Sequence, residues 1–182
     1  MARYLVIAAS SVIGQSVVKI LKKQGDEVIT TARTANKIAP DFILDASDFN
    51  AVDKVFEQAG QLDGVVNCSG SLLLKSAHAT TEEEYVTTIN ASLTTSFATI
   101  RAAGKRMTKG GSVVLISSAA ALTGLANHEA IAAAKAGIIG LAQSAAATYS
   151  SSNLRVNVVA PGMIQTPLTA ALLNNELVAK AS

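Results

Sequence analysis

Tryptophan is absent from this chain and aromatic residues make up only 4% of it. There is therefore no row of π faces on which the bases of a single strand would stack. Charge is also sparse: 15% of residues are charged and the net charge is +2. Lys and Arg are scattered rather than clustered, which argues against a nucleic-acid partner. The single cysteine, Cys68, excludes an internal disulfide and fits a reducing compartment, so a cytoplasmic location is expected. No apolar run reaches the roughly 18–20 residues of a membrane span, and neither a membrane nor a metal is expected. The apolar start MARYLVIAAS is short for a signal peptide and reads on as strand, turn and helix.

What is present is apolar: 49% of 182 residues are hydrophobic, enough for one domain with a substantial core. Tyr4 to Ala9 reads as a strand, apolar throughout like a central parallel strand. Ser10 and Ser11 make a turn and offer hydroxyl donors. Gly14 to Gln24 reads as a helix with Val17, Val18 and Leu21 inward. A strand, turn and helix in this order is where a dinucleotide-binding fold sets a pyrophosphate against helix N-terminal amides. Glu27 to Thr31 is a second strand. An acid at its end would read the ribose 2′-hydroxyl of NAD. The chain has Arg33 there instead, with Thr31 and Thr34 beside it, which favours NADP(H) over NAD(H). A third strand, Phe42 to Leu44, follows so soon that any helix before it is short or absent.

Asp45 follows that strand and reads as a helix cap for the segment starting near Asp48, ahead of a helix at Ala51 to Ala59. Gly64 to Cys68 is a fourth strand, with Cys68 a small buried hydrophobe. Thr80 or Thr81 with Glu83 or Glu84 makes a capping box ahead of a long helix, Tyr85 to Met107. Ser112 to Ser117 is an apolar, β-branched strand with Ser118 at its tip. The Ala-rich helix after it carries Lys135 and runs to about Tyr149. Arg155 to Ala160 is a sixth strand, and Thr166 to Lys180 has room for a short helix. There is no internal repeat and no linker. Strands alternating with helices predict an α/β fold with a parallel sheet.

Several of these pieces resemble the short-chain dehydrogenase/reductase family. Asn67-Cys68-Ser69-Gly70 is similar to its NNAG segment, and Pro161-Gly162-Met163-Ile164-Gln165-Thr166-Pro167 to its PGxxxTP loop. Ser118 and Lys135 keep the spacing of its Ser, Tyr and Lys, but the Tyr position is Ile131. Against the family's TGxxxGxG turn, Ile7 and Ala8 take the Thr-Gly slots, Val12 the second glycine and Gly14 the third. Ala8 is a mild change. Val12 is a larger one, because a β-branched residue resists φ > 0. The family's catalytic Asn falls on Ser92, with Asn90 on another helix face.

The resemblance implies an α/β fold, a three-layer Rossmann-type doubly wound sheet of about six parallel strands in the order 3-2-1-4-5-6 with helices on both faces, and it implies a site. Ser10, Ser11, Ile13, Gly14, Arg33, Thr34, Asp45, Asn67, Ser69, Gly70, Lys135, Pro161, Gly162, Ile164 and Thr166 would hold the dinucleotide. Ser118, Lys135 and Ser92 would be the catalytic set: Ser118 on the substrate oxygen, Lys135 on the ribose, Ser92 holding a water. It implies an NADP(H)-dependent oxidoreductase acting on a small carbonyl or hydroxyl compound with degraded acid–base machinery. His128, three residues before Ile131, is a possible substitute acid. The alternative is a catalytically inactive dinucleotide-binding or interaction protein of the same fold. The family's further helix, lid and seventh strand are missing or truncated, so the chain is expected as a single domain, 1–182, or as a fragment of a longer one. The Ala-rich surface of Ala130 to Ala147 would allow a homodimer or homotetramer.

Overall fold

The computed structural model describes residues 1–164 together with Thr166 and Thr169; the expected helix from Thr166 to Lys180 lies outside them, apart from those two threonines. Six strands form one sheet: β1 (Arg3–Ile7), β2 (Glu27–Ala32), β3 (Phe42–Ile43), β4 (Gly64–Asn67), β5 (Gly111–Ile116) and β6 (Leu154–Val159). The order is β3-β2-β1-β4-β5-β6 and each adjacent pair is parallel. This is the order that the family resemblance implies. It places the ends of β1 and β4 side by side, with Ile7 opposite Asn67. That is the point where strand order reverses and ligands bind in open α/β sheets.

Alternation along the strands divides the interior. Leu5, Ile7, Val65, Val113 and Leu115 face α2 (Phe49–Ala59), α4 (Thr95–Arg106) and α5 (Glu129–Thr148), packing with Val52, Phe56, Ala102 and Ile138. Val6 and Val66 point to the other face, where α1 (Val12–Lys23) lays down Ile13, Val17, Val18 and Leu21. Full burial of a Leu, Val or Phe is worth about 1.5–3 kcal/mol, so the first face carries most of the apolar stabilisation. β2 and β3 are joined without a helix. The Asp41 carboxylate takes both the amide and the hydroxyl of Thr30, at 2.8 and 2.7 Å, and ties the loop down.

Helix boundaries depart from the sequence reading at two informative places. α1 begins at Val12 rather than Gly14, because Ser11 Oγ accepts the amide of Gly14 and so acts as the cap. The long helix expected over Tyr85 to Met107 is two helices. α3 (Glu82–Ile89) starts at a capping box in which Thr81 and Glu84 exchange hydrogen bonds. A π-helical turn, Asn90–Thr94, then separates it from α4. An inserted π turn shifts the helix face, and here it carries Ser92 into the interior with no exposed surface. Hydropathy alone makes α5 long and apolar enough to cross a membrane, with a mean hydropathy of 1.4, against the expectation of no such segment. It is instead a core helix, with Ala130, Ile131, Ala134, Lys135, Ile138, Ala142 and Ala145 buried.

Candidate active site

The β1–α1 turn is built by backbone strain and close approach. Ala8 sits at φ 57°, in the left-handed region, where a Cβ crowds the following carbonyl at a cost of about 1–3 kcal/mol. Val12, taken from the sequence as the residue in difficulty, has an ordinary helical backbone and a side chain 41% exposed. The roles of the two substituted glycines are thus reversed: Ala8 bears the strain and Val12 only adds bulk at the helix start. Gly14 has no room for a side chain, since a Cβ would lie 2.5 Å from Ala8 O. Ala8→Gly is therefore expected to raise stability by about 1–3 kcal/mol, checked by urea denaturation. An unchanged midpoint would mean that the turn is relaxed.

The same turn leaves a cradle for an anion. Ser11 N donates to Ala8 O and Gln15 N to Ser11 O, while Gly14 N is taken by Ser11 Oγ. The amides of Val12 and Ile13 have no acceptor among the described residues. They open at a helix N-terminus, beside the half-exposed hydroxyl of Ser10. At the end of β2, Arg33 and Thr34 are exposed. Asp45 lies close enough to Arg33 to feel its charge. Its carboxyl is held below the usual range, first by the Ser47 hydroxyl and amide and then by Arg33. Asp45 does not cap α2. Asp48 does, accepting from Asn50 N and Ala51 N, because Asp45 is already spent on the Ser47 turn. These donors and this cation suit the phosphates of a dinucleotide.

At the end of β4, Asn67 is buried and its side chain is fully engaged. Nδ2 donates to Thr95 O and Thr99 Oγ1, and Oδ1 accepts from Ser69 N at 2.8 Å. Asn67 thus positions the Ser69-Gly70 backbone on α4 rather than offering its own amide to a ligand. Cys68 is 7% exposed, and burial pushes its thiol up to about 12, which makes it the inert hydrophobe expected.

The end of β5 holds the amine. Ser117 Oγ donates to Lys135 O at 2.8 Å, clamping α5 to the strand tip. Lys135 is 6% exposed and its Nζ donates to Ile116 O, also at 2.8 Å. Burial lowers its pKa to about 8, with Cys68 acting slightly the other way. Ser118 is half-buried, and its Oγ accepts from Ala120 N at 3.2 Å while the hydroxyl proton stays free to donate. Ile131 is 3% exposed and brings nothing ionisable. His128 stands at the entry to α5, with Nδ1 2.7 Å from Ala126 O. That contact needs the proton on Nδ1 and ties the ring to its own loop. Ala119 N donates to Pro161 O, which brings the Pro161-Gly162-Met163-Ile164 loop against the β5 tip. Thr166 bonds to Thr169 through its amide.

Three features lay beyond the sequence. The π turn that buries Ser92 has no periodic signature. Ser117, adjacent to the expected Ser118, turns out to be the residue that fixes α5. The hydroxyls of Ser92 and Ser71 are both buried without a partner among the described residues.

Comparison with known proteins agrees with this geometry. A family model described as enoyl-(acyl carrier protein) reductase matches residues 7–182. The chain is 34% identical over 178 residues to the 3-oxoacyl-[acyl-carrier-protein] reductase MabA of Mycobacterium tuberculosis, covering 92% of this chain and 71% of that protein. It is 32% identical over 192 residues to the 3-oxoacyl-[acyl-carrier-protein] reductase FabG of Salmonella typhimurium, covering 94% and 77%. A short-chain dehydrogenase/reductase structure from Mycobacterium ulcerans superposes with a TM-score of 0.91 at 25% identity, covering 98% of this chain and 74% of that one. ElxO with NADP bound superposes with a TM-score of 0.85 at 25% identity, covering 96% and 79%. With this sheet order, and with a Ser and a Lys converging on the tip of its fifth strand, the chain belongs to the short-chain dehydrogenase/reductase family.

Proposed function

We propose that the chain, acting as a single dinucleotide-binding domain, is an NADP(H)-dependent oxidoreductase for a small carbonyl or hydroxyl substrate, with a reduced acid–base apparatus. The observation that carries this reading is the pairing of Ser118 and Lys135. A free hydroxyl proton and a buried ammonium are held at one strand tip by Ser117 and the Ile116 carbonyl. The Val12 and Ile13 amides with Ser10 and Ser11 would receive the pyrophosphate, Arg33 and Thr34 the 2′-phosphate, and Asp45 the adenine end. Asn67, Ser69 and Gly70 would line the dinucleotide, and Pro161, Gly162, Ile164 and Thr166 the nicotinamide. NADP bound to ElxO and the reductase activity named for MabA and FabG support the same reading. When bound, the nicotinamide supplies the hydride. Ser118 would donate to the substrate oxygen, and Lys135 would hold the ribose and place positive charge beneath the reacting centre.

A second reading rests on Ile131. With no phenol at that position, the chain would bind dinucleotide without turning substrate over. Nucleotide titration by fluorescence separates the cases at the first step. NADPH is expected to bind more tightly than NADH, and Arg33→Ala to erase the difference. Absence of binding by either nucleotide would overturn both readings. We also place the protein in the cytoplasm as a homodimer or homotetramer pairing through α4 and α5, with Phe97 of α4 and Tyr85 and Val86 of the preceding α3 about half exposed. Light scattering on the purified chain would test the assembly.

A further inference from the structure

The two halves of the site differ in charge. The segments 69–74, 117–128 and 159–164 lie at the ends of β4, β5 and β6 and contain no Asp, Glu, Lys or Arg, although 15% of the chain is charged. The ends of β2 and β3 are ionic instead: Arg33, Lys37, Asp45 and Asp48 are all exposed. Resting on the oxidoreductase reading, we propose that the substrate is an uncharged carbonyl compound or alcohol with an apolar body of several carbons, and that Leu122 and Leu125 select it.

Three observations carry this. The first is exposed apolar surface gathered in one place. Single exposed hydrophobics are ordinary on a protein, whereas contiguous ones mark a binding site. Leu122 is 69% exposed and Leu125 47%, and Val159, Met163 and Ile164 are exposed with them. The second is that backbone hydrogen bonds hold these residues around Ser118. Ser117 N donates to Val159 O and Ala119 N to Pro161 O, both at 2.8 Å, and the amides of Leu122 and Thr123 return to Ala119 O. Ser118 lies between the first two of these bonds. From the other side Lys75 N donates to Asn127 O, which brings the half-buried Leu72-Leu73-Leu74 run up to the same loop. The third is that the nearest ions are engaged elsewhere. Lys75 Nζ is paired with both Glu84 oxygens, at 2.9 and 2.8 Å. Lys135 is buried against Ile116 O, and His128 is turned toward Ala126 O. Glu129 lines a hollow with Thr80, Glu82 and Tyr85, to which Leu122 and Leu125 contribute nothing.

The physical consequence is selection by solvation. A carboxylate or phosphate brought against these loops would give up water and gain no cation in return, and an unpaired charge pays far more for that than a neutral group does. A methylene laid on Leu122 and Leu125 leaves water at a gain. Because both leucines stay partly open to solvent, that gain is expected to be about two- to fourfold in affinity per methylene. The hydroxyl of Ser118 then fixes the one polar atom the substrate must present, its oxygen, and the leucines read the rest of the molecule.

Calorimetric titration of the NADP+-saturated chain tests this without turnover, because the oxidised cofactor cannot reduce a ketone. The Kd is expected to fall by about two- to fourfold per methylene from 2-butanone through 2-hexanone to 2-octanone, with a heat-capacity change that grows more negative along the series. Methyl 4-oxopentanoate is expected to bind at least tenfold more tightly than 4-oxopentanoate at pH 7. Leu122→Arg should leave NADP+ affinity unchanged, flatten the chain-length series and reverse the preference for ester over acid. Leu125→Ser should flatten the series without that reversal. A Kd constant along the series, an acid bound as tightly as its ester, a Leu122→Arg variant with the wild-type order, or NADP+ binding with no ketone bound would overturn the proposal and spare the nucleotide reading. A chain that does not bind NADP+ would remove the oxidoreductase reading and this assignment together.

Discussion

Ile131→Tyr is expected to raise the rate of carbonyl reduction by about 10²–10⁴-fold at saturating NADPH, the usual worth of a positioned acid. The position lies one helical turn before Lys135 on the buried face of α5, so a phenol there shares the face of the ammonium. Ile131 is 3% exposed, and the larger ring should overpack its surroundings at a cost of about 1–3 kcal/mol. The expected signature is therefore a lower melting temperature together with a higher kcat. A folded variant with no gain would place the deficit elsewhere, with Ser92→Asn the next substitution to combine with it.

The second large effect is a pH dependence of stability set by two neighbours working in opposite directions. The folded pKa of Lys135 is about 8 against an ordinary 10.5. Between those values the unfolded chain holds a proton that the folded chain has released, so stability rises with pH. The burial penalty on the ammonium is fully present below pH 8 and is relieved by 10.5, a gain of about 3 kcal/mol at about 1.4 kcal/mol per unit. Cys68 does the reverse. Its folded thiol titrates near 12 against an ordinary 9.0, so the folded chain keeps a proton the unfolded chain loses, and stability falls with pH over that range. The rise should therefore start near pH 8 and flatten above pH 9. In Cys68→Ala it should continue to about 10.5, and in Lys135→Met it should be missing. Urea denaturation from pH 7 to 10.5 on the three proteins checks this. A Cys68→Ala curve that stays flat from pH 8 to 10.5 would mean that Lys135 titrates normally in the fold.

Much of the architecture was legible in the sequence, and the reason is local. A buried parallel strand is an apolar β-branched run and an amphipathic helix repeats its apolar residues every three to four positions, so most elements follow from pattern, while the strand order followed from the resemblance to the family. The Ser118 and Lys135 pair was legible because both sit at fixed distances from recognisable segment ends. The capping box was legible as a short motif, and tertiary structure only selected Thr81 and Glu84 from the two pairs available. Chain chemistry alone likewise determined that position 131 offers no proton.

Only the folded chain decided where strain and solvation fall. Whether Ala8 or Val12 takes the left-handed backbone depends on where α1 begins, and that depends on the Ser11 cap. Whether Asp45 or Asp48 caps α2 depends on which carboxylate the Ser47 turn has already occupied. The π turn that buries Ser92 has no counterpart in the sequence's periodicity. The lowered pKa of Lys135 is a property of burial between β5 and α5 that no spacing encodes. A sequence specifies which groups are present and how far apart they lie along the chain. Proton affinity depends on what surrounds each group in space, and that is set by long-range contacts.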